Sequence, residues 1–281
     1  MSHRTVSQLI NGQPASDGAG VKLKRLIGQG GIQGFDPFLM LDEFNSDNAD
    51  DYIAGFPSHP HRGFETVTYM LNGNMEHKDH MGNTGLLQAG DVQWMTAARG
   101  IIHSEMPQQV NGLMRGFQLW INLPASEKMK DPHYEDIKSD NIPVLETDDF
   151  WVKGVAGETE INGQKLSGAV KGISTAPIFV DLRAKPNKKI EVPVPSEHKV
   201  LVYVYEGEVN LGTTTVTAQQ MAVTSEGDLL QLTSGDSGFS VLILAGKPLR
   251  EPIANWGPFV MNTREEIEQA IEDYRNGQLT Q

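Results

Sequence analysis

The chain has 281 residues, no cysteine and a formal net charge of −13, from 23 Lys and Arg against 36 Asp and Glu. The missing thiols exclude a disulfide framework, thiolate zinc sites, iron–sulfur clusters and cysteine nucleophiles. The acidic balance argues against direct binding of nucleic acid or an anionic membrane surface, both of which call for Lys and Arg.

At about 100–200 residues per domain, the length fits two domains or one large β domain. The 29 Gly and 15 Pro favour a turn-rich β architecture. The first residues (MSHRTVSQLINGQPASDG) hold no apolar run of signal-peptide length, and a cytoplasmic protein with no membrane span is expected. Gly28-Gln29-Gly30-Gly31 is followed by neither a lysine nor a helical pattern, so it reads as a turn and not a nucleotide loop. The run Phe64 to Leu71 is β-branched and aromatic and ends at Asn72-Gly73, a strong hairpin signal. Further turns fall at Met81 to Gly85 and Ala89-Gly90-Asp91. Val92 to Met95 is a strand broken by Arg99-Gly100, and Gly116 to Leu123 alternates until Pro124 stops it. Short strands with turns about every 8–12 residues indicate a sandwich or barrel.

Residues 125–150 are rich in Lys, Asp, Glu and Pro and read as a linker. A second β series follows: Pro177 to Leu182, then Lys199 to Tyr205, a turn at Glu206-Gly207-Glu208, and Val209 to Gly212. Leu229 to Leu232 and Phe239 to Leu244 close it. The recurrence predicts an internal duplication of a β-sandwich, with domains at 1–135 and 136–281. One helix is expected in the second. Thr263-x-x-Glu266 is a capping box, Ile267, Ala270, Ile271 and Tyr274 share a face, and Asn276-Gly277 ends it.

Five of the eight histidines (His59, His61, His77, His80 and His103) fall within 45 residues. His59-Pro60-His61 and His103-Ser104-Glu105 each place candidate ligands at i and i+2, on one face of a strand. If those strands are neighbours, three imidazoles and a carboxylate converge. Such a set suits divalent Fe, Mn, Co, Ni or Cu and leaves positions open for substrate or dioxygen. A lone strand histidine is more often a hydrogen-bonded structural residue, but two such pairs in one domain favour a metal. Pro57 and Pro60 put the first pair at a strand start or edge. His77-x-x-His80 with Asp79 is a weaker candidate, better read as a solvated hairpin end beside Glu76 and Lys78. Glu65, four residues after His61, shares its face on a regular strand and is a ligand, a partner of one or a salt-bridge member. His198 stands alone in the second half, and His3 and His133 read as surface or linker residues.

Phe35-Asp36-Pro37-Phe38 to Leu41-Asp42-Glu43-Phe44, Phe56-Pro57-x-His59-Pro60-His61-Arg62-Gly63-Phe64-Glu65 and Gly90-Asp91-Val92-Gln93-Trp94-Met95 to His103-Ser104-Glu105 resemble the pirin family. The resemblance is dense over about residues 25–125 and looser beyond. It implies an all-β bicupin, two β-barrel (cupin, jelly-roll) domains with a short C-terminal helix. It also implies one metal, Fe(2+) first among the candidates, in the N-terminal barrel alone. The matching ligand positions are His59, His61, His103 and Glu105, and Glu65 is not a ligand in the pirin pattern. Two positions depart from the pattern, Ala98 where Gly is expected and His80 where Ser is common. The second half lacks both ligand pairs, which implies a domain without a metal site.

The resemblance carries two functional readings. Bacterial pirin-like proteins resemble quercetinases, which open the central ring of flavonols with O2 and release CO. In that reading Glu105, the basic oxygen of the ligand set, accepts the proton of the flavonol 3-hydroxyl. Phe56, Trp94 and Met95 line an apolar pocket or belong to the core. The alternative is a non-catalytic, metal- or redox-sensing regulator of a protein partner, either a transcription factor or a metabolic enzyme.

Overall fold

In the computed structural model, which describes residues 2–28 and 34–281, β-strands make up most of the chain and one helix lies near its end. The glycine-rich turn expected from Gly28 lies outside the described residues from Gln29 onward. Contacts divide the chain into two units, each assembled from two segments: Gln13–Ser139 with Leu249–Gln281, and Met1–Gly12 with Asp140–Pro248. This partition differs from a single cut at 135/136. The first strand, Val6–Asn11, pairs with Gln220–Thr224. The helix Arg264–Arg275 joins the Gln13–Ser139 unit, where Phe259, Met261, Ile267, Ala270 and Leu279 form one apolar cluster. Among the described residues no helix is long and apolar enough to cross a membrane.

The expected all-β cupin architecture is present in both units, as packed sheets and not as closed barrels. In the Gln13–Ser139 unit a seven-stranded sheet runs in the order His133–Ile137, Val92–Thr96, Phe64–Asn72, Met114–Asn122, Phe38–Ser46, Val21–Ile27 and Gln13–Asp17. A four-stranded sheet runs Phe56–His61, Ile101–Pro107, Met75–Asp79 and Thr84–Leu87. Two sequence readings are corrected here. Asn72-Gly73 closes no hairpin, because Phe64–Asn72 and Met75–Asp79 belong to different sheets and the turn carries the chain between them. The charged 125–150 stretch is no free linker, since His133–Ile137 pairs with Val92–Thr96. Charge there marks a sheet edge.

In the Asp140–Pro248 unit the turn expected at Glu206 to Glu208 is a bulge within one strand, Lys199–Leu211. The bulge switches the inward parity, so Val200, Val202 and Val204 share the core with Val209 and Leu211. The neighbouring strand Leu229–Gly246 changes parity likewise, from Leu230 and Leu232 to Phe239, Val241 and Ile243. A Cβ on Gly207 would stand 2.3 Å from the Gly238 carbonyl, so the paired bends need glycine. Each long strand thus serves two sets of partners through one local defect.

The helix follows its sequence signals. Thr263 Oγ1 accepts from the Glu266 N–H at 3.2 Å, and Glu266 Oε2 accepts from the Thr263 N–H at 2.9 Å. Arg62 ties it down through Asp273 at 2.6 Å. Lys128 is buried with its ammonium donating to Gly63 O, Asn122 Oδ1 and Val260 O at 2.7, 2.6 and 3.0 Å. Burial pulls its pKa down to about 8. At position 98, where glycine is expected, alanine takes φ +45°, the left-handed region that explains the expectation.

Glu65 is buried directly across from Thr96, whose hydroxyl donates to its Oε1 at 2.8 Å. Burial pushes its carboxyl up to about 6 from the ordinary 4.5. The unfolded chain therefore ionises first as pH rises, and folding stability falls between those two values. At 1.36 kcal/mol per unit, we expect the wild-type protein to lose about 2 kcal/mol relative to Glu65→Gln between pH 4.5 and 7. Denaturant unfolding of both proteins across that range measures it. Parallel pH profiles would remove Glu65 as the cause.

Candidate metal centre

The two histidine-bearing strands are hydrogen-bonded neighbours. Phe56–His61 runs antiparallel to Ile101–Pro107, with His59 opposite His103 and His61 opposite Ile101. A bulge between His103 and Glu105 adjusts the register. The period-two spacing thus becomes a spatial cluster: the candidate donor nitrogens of His59, His61 and His103 all lie within 4.8 Å of one another. His61 and His103 are buried, and His59 is half-buried.

Electrostatics keep the two buried members neutral. Burial holds both His61 and His103 well below the usual imidazole range, and the neighbouring histidines lower them further. Neutral rings each carry one lone pair, and the hydrogen bonds indicate where it sits. His59 Nδ1 is 2.8 Å from the Pro57 carbonyl, which can only accept, so Nε2 keeps the lone pair. His61 Nδ1 and His103 Nε2 are buried with no hydrogen-bond partner among the described residues. Buried polar atoms are nearly always paired. Two unpaired nitrogens on uncharged rings, in a triangle of three imidazoles, fit a divalent transition metal, which takes lone pairs and needs no proton.

Glu105 reaches the same cavity, although the triangle of donors consists of imidazoles alone. Its Oε1 accepts from the Thr68 hydroxyl at 2.9 Å, and that hydroxyl is 2.9 Å from the side-chain amide of Gln118. A hydroxyl has one proton. It is shared between two acceptors, the Glu105 carboxylate and the Gln118 amide oxygen. The second carboxylate oxygen of Glu105 is left for other work.

Glu65 joins neither the triangle nor the cavity lining. The chain passes from one sheet to the other at Arg62-Gly63, where Gly63 has φ +94° and a Cβ would meet Val260 O at 1.9 Å. Strand alternation does not survive that crossing, so Glu65 faces Thr96, while Thr68, of opposite parity, faces Glu105. His77 is the larger surprise. It is fully buried on Met75–Asp79, with Nε2 2.6 Å from His103 Nδ1 and its ring stacked on Tyr134 at 4.8 Å. His80, beside it, accepts from the Ile102 N–H at 3.3 Å.

The cluster opens on a cavity of about 650 Å³, within the size range of small-molecule sites. Leu23, Met40, Phe44, Phe56 and Trp120 supply apolar walls; Gln118, Asn255 and the bidentate Arg25–Asp42 pair, at 2.9 and 2.7 Å, supply polar ones. Burial pushes the Asp42 carboxyl up against the opposing pull of Arg25. Of Phe56, Trp94 and Met95, only Phe56 lines this cavity; Trp94 is buried elsewhere, and Met95 belongs to a cluster with Ala97 and Ile101. Thr68, Gln118 and Asn255 were missed in the sequence. Gln118, a polar residue inside the apolar run Phe117 to Ile121, is the one signal that points to the wall.

Comparison with known proteins places this site in context. The family profile described as Pirin matches residues 20–121, and the Pirin C-terminal cupin domain profile matches residues 179–280. A Pseudomonas aeruginosa protein provisionally named quercetin 2,3-dioxygenase is 54% identical over 99% of this chain and 98% of its own. Human pirin is 40% identical over 98% of this chain and 93% of its own. The crystal structure of a quercetin 2,3-dioxygenase from Acinetobacter baumannii superposes with a TM-score of 0.89 at 33% identity, covering 99% of both chains. On sequence over nearly its whole length and on fold, the chain belongs to the pirin family.

Proposed function

We propose that the protein is a metal-dependent dioxygenase that cleaves flavonols such as quercetin with O2 and release of CO. His59, His61, His103 and Glu105 are the proposed ligands of a single metal, Fe(2+) in the first instance. The observation that carries the reading is the triangle of imidazoles, two of which, His59 and His61, line a cavity of about 650 Å³ with aromatic walls. The names of the Pseudomonas and Acinetobacter relatives support the substrate class.

A divalent metal in this site supplies Lewis acidity toward a substrate oxygen. The chain's own residues do the rest. Phe44, Phe56 and Trp120 exclude water and accept a flat aromatic ring system. Glu105 takes the proton of the flavonol 3-hydroxyl on the oxygen that Thr68 does not hold. Thr68 holds that carboxylate at its other oxygen. Fixing an acceptor in advance avoids reorganisation when the proton moves.

Two measurements test the reading. Purified protein should carry one transition metal per chain by elemental analysis, and His59→Ala or His103→Ala should lose it while keeping a β-type circular dichroism spectrum. Full occupancy in either variant would sink the ligand assignment, and so would a second metal per chain that survives loss of His59.

Glu105→Gln keeps the shape of the side chain but removes the proton acceptor. Reloaded with excess metal, it should turn over quercetin roughly 10²-fold more slowly, whereas Glu65→Gln, loaded in the same way, keeps most of its activity. Near-normal turnover by the reloaded Glu105→Gln protein would leave Glu105 a ligand and no base. A metal-loaded wild-type protein that consumes no oxygen with quercetin, and whose binding to a protein partner changes with the oxidation state of the metal, would favour the regulator instead.

A further inference from the structure

We propose that His77 is a positioning residue for the metal centre, fixing by its hydrogen bond the tautomer in which His103 offers Nε2 to the metal. This rests on the reading of the three imidazoles as a metal site.

His77 and His103 lie on adjacent antiparallel strands. His77 stands opposite Glu105, and His103 opposite Asp79, so the two imidazoles are a diagonal pair on one face. Their nitrogens, His77 Nε2 and His103 Nδ1, are 2.6 Å apart and both rings are buried. At that separation one proton must lie between them. A neutral ring has one N–H, so the proton's owner fixes both tautomers. If His77 Nε2 carries it, His103 is protonated on Nε2, a buried atom with no acceptor among the described residues. If His103 Nδ1 carries it, His103 Nε2 becomes the lone pair that completes the triangle, and the His77 proton sits on Nδ1, likewise buried with no acceptor among the described residues, so the two arrangements are balanced until a metal takes the His103 lone pair. A metal selects the second arrangement, and His77 is the acceptor that makes it available.

The arrangement parallels His59, whose Nδ1 proton goes to the Pro57 carbonyl. A ring acceptor differs from a carbonyl because it must itself be held in orientation. Tyr134 does so: its ring is stacked on His77 at 4.8 Å with an interplanar angle of 18°. Tyr134 belongs to the strand His133–Ile137, paired to Val92–Thr96. An edge strand thus reaches the metal centre through two successive ring contacts, Tyr134 to His77 and His77 to His103.

The test is the affinity for Co(II), measured by competition with a chromophoric chelator on wild-type protein, His59→Ala, His77→Phe and His77→Gln. Phe keeps a ring against Tyr134 but accepts nothing; Gln gives up the ring but offers a carbonyl oxygen to the His103 N–H. His77→Phe should bind Co(II) about 10–100-fold more weakly, the usual cost of losing such a partner, and His77→Gln should recover most of the loss. Equal weakening in both variants would make the effect one of packing and overturn the proposal, as would wild-type affinity in His77→Phe. Proton NMR of the Co(II)-loaded wild type provides a readout that needs no variant. It should show a hyperfine-shifted N–H resonance from His103 that exchanges slowly with D2O, and its absence would overturn the assignment of the proton to Nδ1. Failure of the wild type to bind Co(II), or undiminished binding by His59→Ala, removes the metal-centre reading and this inference together. Normal behaviour of those two with an unaffected His77→Phe removes the role of His77 alone.

Discussion

The candidate site depends first on the buried rings of His61 and His103 carrying no charge beside His59, with nitrogens of all three within 4.8 Å of one another. Burial enforces that. Each ring desolvated by the fold loses its proton more readily, and each neighbour adds repulsion against a second charge. The result is a set of lone pairs held together at neutral pH, which is what a divalent cation requires and what water would otherwise compete for. The sheet supplies the geometry, because His59 and His103 face each other across two hydrogen-bonded strands. The flanking groups supply the direction, Pro57 to His59 and His77 to His103. Backbone pairing sets the distances between the rings, and hydrogen bonds set which nitrogen each presents.

The same sheets treat two glutamates in opposite ways. Glu65 and Glu105 are both buried. Glu65 sits opposite Thr96, where burial raises its pKa to about 6. Glu105 is held at one oxygen by Thr68, in the wall of the cavity. Position along the chain does not separate them, since Glu65 is nearer to the first histidine pair. What separates them is Gly63, where the chain leaves the four-stranded sheet for the seven-stranded one. The left-handed backbone there resets the alternation, and the residues after it no longer share a face with those before it.

That reset marks the limit of what the sequence discloses. Period-two reasoning is local to a strand. Within Phe56–His61 it puts His59 and His61 on one face, where they meet His103 of Ile101–Pro107, and the capping box of the helix, another local device, is equally legible. Across a sheet change or a bulge it has no purchase, so Glu65 is assigned to the wrong face and the bend at Gly207 looks like a turn. His77 fails for a different reason. Its neighbours Glu76, Lys78 and Asp79 are polar, and a polar run reads as solvated. On a strand, only alternate residues need be solvated. His77 occupies the inward position, and the strand His133–Ile137, itself disguised by charge, supplies the ring that stacks on it. Burial of one polar residue beside exposed polar ones is a tertiary property, visible only once both strands have partners.

The C-terminal segment illustrates how a duplicated fold can assign its parts unequally. Leu249–Gln281 follows the second series of strands in the chain, yet its contacts are made with Gln13–Ser139. Gly63, whose left-handed turn redirects the chain just after the histidine pair, packs so tightly on Val260 that no side chain fits between them. Lys128 then bonds the Gly63 and Val260 carbonyls and the Asn122 side chain at once, so the turn and the segment are fixed by one buried ammonium. Asn255, Gly257 and Pro258 of the same segment form part of the cavity wall beside His59 and His61. The segment therefore both braces the strand crossing and closes the cavity that the histidines open on. A chain that lacked it would keep its histidine spacing but lose one side of its pocket and the lock on the turn that follows the first histidine pair.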